Sequence, residues 1–231
     1  MFLHYHLLTT SVYIGGGSNQ ASPHLKQSGY KNLFGTDIKV DEEFTYSLPE
    51  SDKFTCASFS NYCNDTNVVT GSKNGLITIW KERKHVKDFN TGVPVDNVKY
   101  SYDDNLIIAN SGRELFLYDW KVDQRLSKST ISSIDDILIV DDDSFVTVHD
   151  DYISLWKHDE KKMPGEPIPD VKEQLIYENN SSSFTCGVIF ENELFVSSKD
   201  QTTFVFDLNT LSIVKAYKDK KRFVQTHNCM N

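Results

Sequence analysis

Several features are missing from this sequence, and each absence excludes a class of protein. The four cysteines form no C-x-x-C pair, which argues against a zinc ribbon or a dithiol redox site. No stretch approaches the roughly 20 apolar residues of a membrane span. The N-terminus lacks the basic region and continuous apolar core of a signal peptide. We therefore expect a cytoplasmic and/or nuclear protein whose cysteines, such as Cys56 and Cys186, are free and act as small apolar residues.

Positive charge is also scarce. The chain has 24 Lys and Arg against 33 Asp and Glu, a net charge of −9. Sequence-independent binding to nucleic acid needs clustered cations, so the charge of this chain argues against direct contact with nucleic acid. The basic stretches around Lys81 and Lys220 are better interpreted as solvated strand edges than as sites for RNA or acidic lipid. We expect the partners to be other proteins, with basic segments as one option.

Signatures of catalysis and of metal binding are missing too. The chain has no G-x-S-x-G nucleophile elbow. The Gly15-Gly16-Gly17 run is not followed by the Gly-Lys-Ser/Thr of a phosphate-binding loop. His4 and His6 alternate, but no third metal ligand accompanies them. The sequence therefore predicts no catalytic residues, no cofactor and no metal.

What the sequence does contain is a repeat. Four apolar runs end in an aromatic residue, and these aromatics lie 38, 38 and 50 residues apart: Trp80, Tyr118, Trp156 and Phe206. Another apolar run and a short polar turn precede each of them, as in 67–75. One strand further back, 54–59 resembles 184–190, and a weaker fourth strand follows the aromatic, best seen at 211–214. About four strands in a period near 40 is the signature of a β-propeller blade.

These units resemble the WD repeats of β-propellers over about 53–217. The stretch Gly71–Lys81 follows the closing pattern of that family, with Lys81 where Asp is usual. Tyr118-Asp119 and Phe206-Asp207 keep the Asp and replace the Trp, and the opening Gly-His pair is absent. The resemblance implies an all-β propeller of four-stranded antiparallel blades. The departures imply that these blades rely more on apolar packing than on a buried His–Asp network.

The repeat also divides the chain. Residues 1–52 are predicted to form a partial N-terminal blade with a long inserted loop at about 17–35. Residues 53–217 form four WD-like blades, and 218–231 a polar tail. Rings of the WD type mostly have seven blades, so we expect either an incomplete ring or a ring of five.

The function that this fold favours is a non-enzymatic scaffold or adaptor subunit of a larger intracellular complex, with blade turns as its docking surface. One alternative is an open propeller completed by strands from an obligate partner. Another is a five-bladed glycoside hydrolase with paired carboxylates in its central funnel. Candidate partner-binding residues are acidic turn residues of the third repeat, near Asp135 and Asp136, and three residues of the inserted loop: Asp141, Asp142, Asp143, Asp150, Asp151, Tyr30, Leu33 and Phe34.

Overall fold

A computed structural model describes residues 52–61, 67–82, 84–158, 167–168 and 170–218, together with the backbone of Val12–Ile14 and Leu25–Gln27. Every regular element in these residues is a β-strand. Strand β1 (Val12–Ile14) pairs in antiparallel orientation with β2 (Leu25–Gln27). The other sixteen strands form four antiparallel sheets of four strands each.

Each sheet is made of four consecutive strands and forms one blade. Blade 1 contains β3 (Phe54–Phe59), β4 (Val68–Ser72), β5 (Leu76–Lys81) and β6 (Lys84–Asn90). Blade 2 contains β7 (Asn97–Tyr100), β8 (Leu106–Ser111), β9 (Glu114–Asp119) and β10 (Gln124–Ser129). Blade 3 contains β11 (Ile134–Ile139), β12 (Ser144–His149), β13 (Tyr152–His158) and β14 (Val171–Glu178). Blade 4 contains β15 (Phe184–Phe190), β16 (Glu193–Ser198), β17 (Thr202–Asp207) and β18 (Ser212–Lys218).

The predicted all-β propeller architecture is confirmed. The fourth strand, weak in the sequence, is present in all four blades as β6, β10, β14 and β18. Three details differ from expectation. The predicted loop at 17–35 contains strand β2, and β18 includes Lys218, the first residue of the predicted tail. Cys56 is a free thiol as expected, but Cys186 is disulfide-bonded, so the prediction of a free thiol there is wrong.

The stretch that closes the first repeat shows why these residues form strands. Along β5, Ile77 and Ile79 face the core shared with blade 2, whereas Trp80 packs on the opposite face of the sheet. A strand buried on both faces is apolar at successive positions instead of alternate ones. Gly75 precedes the strand with φ +88°, and a Cβ there would lie 2.6 Å from the Val93 carbonyl oxygen, so this turn requires glycine.

Neighbouring blades are joined by apolar packing and by a repeated backbone hydrogen bond. The first strands contact one another in chain order, β3 against β7, β7 against β11 and β11 against β15. The residue that leads into each blade donates its amide to the second hairpin of the preceding blade: Val95 to the Ser72 carbonyl at 3.0 Å, Ile134 to Gly112 at 2.9 Å, and Phe184 to Asp150 at 2.8 Å. The same type of backbone hydrogen bond therefore aligns each of the three pairs of consecutive blades.

The strands of blade 3 are more deeply buried than those of blade 4. In blade 3, β12 is buried at every position and β13 at its first five. In blade 4, burial alternates along β16, and β18 is exposed throughout. One face of blade 4 therefore packs against blade 3, while much of its other face is open to solvent.

Candidate functional site

The strand order gives the propeller two faces. The connection face carries the turn between the second and third strands of each blade and the segments that lead into the next blade, such as 91–96 and 130–133. The hairpin face carries the turns between the first and second strands, such as 101–105 and 140–143, and those between the third and fourth. Side chains from different blades meet only if their turns lie on the same face.

The acidic turn residues predicted to bind a partner are divided between these faces. Asp141, Asp142 and Asp143 lie in the turn between β11 and β12 on the hairpin face, whereas Asp150 and Asp151 lie between β12 and β13 on the connection face. Asp141 accepts hydrogen bonds from the Asp143 amide at 3.0 Å and from Ser144 Oγ at 2.7 Å, which stabilises its own turn. A single patch formed by all five residues is therefore not what the structure has.

Asp150 belongs to a charged group on the connection face between blades 3 and 4. Its Oδ1 lies 3.4 Å from Lys199 Nζ. A hydrogen bond from Ser183, and then the Lys199 ammonium, lower the pKa of Asp150. Desolvation, followed by the negative charge of Asp150, raises the pKa of Asp135 on the neighbouring first strand. The Lys199 ammonium thus offsets part of the negative charge of this group. The group is therefore a weaker binding surface for a cationic partner.

Asp136 is not a turn residue but a buried residue of β11. Its carboxylate accepts hydrogen bonds from the Ile137 amide at 2.9 Å and from the Gly187 amide of blade 4 at 3.2 Å. Burial raises its pKa, although these amides and nearby Lys99 favour the charged form. Because one oxygen joins blade 3 to blade 4 and the other binds the amide of the next residue of β11, this carboxylate has a structural role.

A chain of hydrogen bonds runs through the interior of blade 3. Trp156 Nε1 donates to Thr147 Oγ1 at 2.8 Å, and Thr147 Oγ1 lies 2.8 Å from His149 Nε2. His149 Nδ1 lies 3.3 Å from the Ser132 carbonyl and 3.1 Å from that of Ser133. Desolvation lowers the pKa of His149 to about 4, so its imidazole is neutral at pH 7. Because a carbonyl only accepts, the proton of the neutral ring lies on Nδ1, and Thr147 therefore donates to Nε2.

The same position is polar and buried in every blade. On the second strand of each blade, the residue that pairs with the first residue of the first strand is polar and buried: Ser72, Asn110, His149 and Ser198. Asn110 Nδ2 donates to the Ile134 carbonyl at 3.1 Å, and Ser198 Oγ donates to the Ser183 carbonyl at 3.0 Å. These groups anchor the segments that connect one blade to the next. Each blade thus combines apolar packing with one buried polar group at this position of the repeat.

A groove of about 330 Å³ lies on the outer part of blade 3, next to the segment that connects it to blade 2. Its lining combines carboxylates, hydroxyls and apolar side chains: Ile131, Asp151, Tyr152, Ser154, Glu173, Leu175 and Glu178. Of the predicted residues, only Asp151 lines it. Ile131 and Leu175 are 82% and 55% exposed, large values for apolar side chains.

The walls of the groove are held by the elements around it. Tyr152 pairs with Glu178 and Ser154 with Leu175 across β13 and β14. The Tyr152 ring stacks on buried His149 with a centroid distance of 3.9 Å. The Arg113 guanidinium donates to the Ile131 carbonyl at 3.3 Å, which holds the connecting segment in place. The groove is therefore a preformed feature of the fold.

Among the described residues, exposed large apolar side chains are most numerous on blade 4. Half of the ten exposed large apolar residues of the described chain belong to this blade: Val188, Phe190, Ile213, Val214 and Tyr217. Val188 and Phe190 alternate on β15 and so face the same side, and Val188 pairs with Phe195 of β16. We call the side of blade 4 that carries Val188 and Phe190 the open face.

The other predicted residues can be placed only in part. Tyr30, Leu33 and Phe34, like His4 and His6, lie outside the described residues. Within the described ranges, no group of three His, Cys, Asp or Glu side chains is arranged to hold a metal ion. In the same part of the chain, no helix has the length and apolar character to cross a membrane.

Sequence reasoning overlooked both the hydrogen-bond chain and the groove. A signal for the first was present, because Thr147 precedes Trp156 by nine residues and Thr70 precedes Trp80 by ten, and each Thr accepts from its Trp. The groove has no comparable signal, since its lining comes from three segments separated by about twenty residues each.

The fold defines a class of protein, a β-propeller with WD-like repeats. No protein-family model matches the chain, and the search of curated proteins found no match. Among solved structures, the β-propeller domain of Cps50 (Swd1) from Myceliophteria thermophila matches 72% of this chain with a TM-score of 0.58 and 13% sequence identity. The match covers 57% of that chain, less than two thirds of its length. At this identity the likeness shows the fold alone.

Proposed function

We propose that this protein is a non-enzymatic protein-interaction scaffold, a subunit of a larger intracellular complex, and that a partner covers the open face of blade 4. The observation that carries the proposal is a pair of exposed apolar side chains on that face, Phe190 at 65% and Val188 at 54% exposure. Contiguous exposed apolar surface marks interaction sites in soluble proteins.

The position of the open face supports the alternative of an open propeller that is completed by a partner. Blades 2 and 3 each bury both faces between neighbours, whereas blade 4 has a described neighbour on one side only. The side of blade 4 away from blade 3 carries the exposed side chains of Val188 and Phe190. A partner sheet with an apolar face would fit there in the way that blade 4 fits against blade 3.

Site-specific photocrosslinking of the full chain tests this proposal. A benzophenone amino acid at position 190 is expected to capture one dominant protein from cell extract, and the same group at Val122, which is 39% exposed on the hairpin face, is not. The captured protein is then purified and titrated against the full chain. Val188→Glu with Phe190→Glu is expected to weaken that binding at least about tenfold, since each buried apolar side chain contributes about 1.5–3 kcal/mol.

The control for the titration is Val122→Glu, which adds one charge at an exposed apolar position elsewhere. Circular dichroism and thermal unfolding establish that each variant is folded. Equal capture from both positions, or unchanged affinity of the purified protein for the double variant, would refute a docking role for blade 4.

A further inference from the structure

We propose that the C-terminal tail, residues 219–231, covers the connection-face end of the open face of blade 4 and is held there by a disulfide bond between Cys186 and Cys229. Reduction of this bond releases the tail and frees that part of the face for a partner. The inference rests on the proposed function, because it concerns access to the same face. It adds the bond that controls this access.

The Cys186 side chain lies on the open face. From Cys186 to Phe190, β15 pairs with β16 without a register shift, so Cys186, Val188 and Phe190 point to the same side of the sheet. Gly187 points to the other side, because a Cβ there would lie 2.7 Å from Leu138 Cδ1 of blade 3. A group bonded to Cys186 therefore lies on the side of blade 4 away from blade 3.

The disulfide bond of Cys186 has two candidate partners. The chain has four cysteines, and Cys56 is a free thiol, so Cys186 bonds to Cys63 or to Cys229. By chain position, Cys63 falls between β3 and β4, whose turn belongs to the hairpin face of blade 1. Cys186 lies near the start of β15, at the connection-face end of blade 4, and blades 2 and 3 come between it and blade 1. Both the face and the blade order therefore favour Cys229.

The repeat shows what occupies the corresponding position in blade 1. Cys56 corresponds to Cys186, since each follows a register shift after the first residue of the first strand. The Cys56 Sγ lies 3.9 Å from the Val95 carbonyl oxygen. Val95 belongs to the segment 91–96, which follows the fourth strand of blade 1 and leads into blade 2. The chain that follows a fourth strand thus passes over this cysteine position.

In blade 4, the chain that follows the fourth strand is the tail. Strand β18 ends at Lys218, which pairs with Thr202 beside the connection-face turn 199–201. The Lys218 Nζ lies 3.2 Å from Asp200 Oδ2 in that turn. The chain therefore leaves β18 at the same end of the sheet as Cys186.

The number of residues in the tail is sufficient for this path. Three strand spacings separate β18 from β15, a distance of about 14 Å. Cys229 follows Lys218 by 11 residues, and an extended segment of that length spans up to about 36 Å. In blade 1, the segment 91–96 makes the same crossing from the outer strand to the next inner one with fewer residues. Cys229 can therefore reach Cys186 without any change in blade 4.

The bond forms and breaks by thiol–disulfide exchange. With oxidised glutathione, a small-molecule disulfide, as the oxidant, the thiolate of one cysteine attacks a glutathione sulfur, and one glutathione thiolate leaves. The second protein thiolate then attacks the first cysteine's sulfur in the mixed disulfide and displaces the other glutathione. The protein loses two electrons and two protons, and each glutathione thiolate takes up one proton. Excess reduced glutathione reverses these steps.

Peptide mapping of the full chain tests the pairing. The protein is incubated with oxidised glutathione, alkylated and cleaved after Lys and Arg. This cleavage places the three cysteines in different peptides: Cys186 in 173–199, Cys229 in 223–231 and Cys63 in 54–73. Mass spectrometry is expected to find 173–199 linked to 223–231, with loss of the link after reduction. A link from 173–199 to 54–73, or a Cys186 that is alkylated or carries glutathione, would overturn the inference.

Nuclear magnetic resonance of the full chain tests whether the tail covers the face. The Val188 methyl groups lie two residues along β15 from Cys186, and those of Val122 on the hairpin face serve as the control. On reduction, the Val188 signals are expected to shift and to be broadened more by a soluble paramagnetic chelate, whereas the Val122 signals stay unchanged. Cys229→Ser is expected to show the reduced position of the Val188 signals with and without reductant. Cys63→Ser is expected to respond to reduction as the native chain does.

Two results of the resonance experiment would count against the inference. One is a Val188 signal that does not respond to reduction, and the other is a native response in Cys229→Ser. Circular dichroism establishes that both variants are folded. Neither the mapping nor the resonance experiment uses the protein captured at position 190, so a failure of that capture leaves both results unaffected.

The captured protein supplies the test of controlled access. It is expected to bind the reduced chain at least about threefold more tightly than the oxidised chain, because the tail then no longer competes for the face. In Cys229→Ser, the affinity is expected to be independent of reduction. Equal affinity of the native chain in both states would refute the control of access by the tail.

Discussion

Acidification provides a direct test of the hydrogen-bond chain in blade 3. His149 is fully buried and accepts a hydrogen bond from Thr147 at Nε2. Protonation of Nε2 would remove that acceptor and place a positive charge in the interior. Desolvation accordingly lowers the pKa of His149 from 6.5 to about 4. Acid should therefore destabilise the fold through this residue.

The sign and size follow from proton linkage. Because the folded pKa is depressed, the unfolded chain binds the proton more readily between pH 6.5 and 4, so stability falls as the pH falls through that range. At 1.36 kcal/mol per pKa unit, the loss between pH 7 and pH 4.5 is about 2 kcal/mol. For a chain of this size, that corresponds to a decrease in Tm of roughly 4–8 °C.

The assay is denaturant unfolding followed by tryptophan fluorescence at several pH values, with His149→Asn as the comparison. Blade 2 carries Asn110 at the same position, where its amide donates to a backbone carbonyl, so the replacement preserves that donor without a titrating group. Other carboxylates titrate in both proteins, and the difference between the two pH profiles isolates His149. Parallel profiles between pH 4.5 and 7 would contradict a buried neutral imidazole.

Three further predictions concern the blade interfaces. A Cβ at Gly71 would lie 2.5 Å from Cys56 Sγ and 2.6 Å from Val95 Cγ1, so Gly71→Ala is expected to lower the free energy of unfolding by about 1–3 kcal/mol in chemical denaturation. Asp136→Asn replaces one of two acceptor oxygens that bind amides and should cost about 1–3 kcal/mol, whereas Asp142→Asn in an exposed turn should change stability by less than about 0.5 kcal/mol. Burial raises the pKa of Cys56 to about 12. At pH 8, its alkylation in the folded chain is therefore expected to be slower than in the unfolded chain by on the order of a thousandfold, as peptide mass spectrometry can measure.

The blade repeat could be predicted from the sequence because its cause is local. Strands such as β5 and β9 must be apolar at successive positions to be buried on both faces, and tight turns such as 73–75 separate them. That pattern recurs whenever the chain makes another blade. The first strand of blade 3, β11, was harder to recognise because Asp135 and Asp136 interrupt its apolar run.

The roles of individual carboxylates could not be predicted, because they depend on which blade lies opposite. Asp136 and Asp142 are six residues apart and of the same type, yet one joins two blades and the other is exposed to solvent. The strand order determines the face on which each carboxylate lies. Residues 141–143 lie in a turn on the hairpin face, and residues 150–151 lie in a turn on the connection face. Turn composition alone does not contain that information.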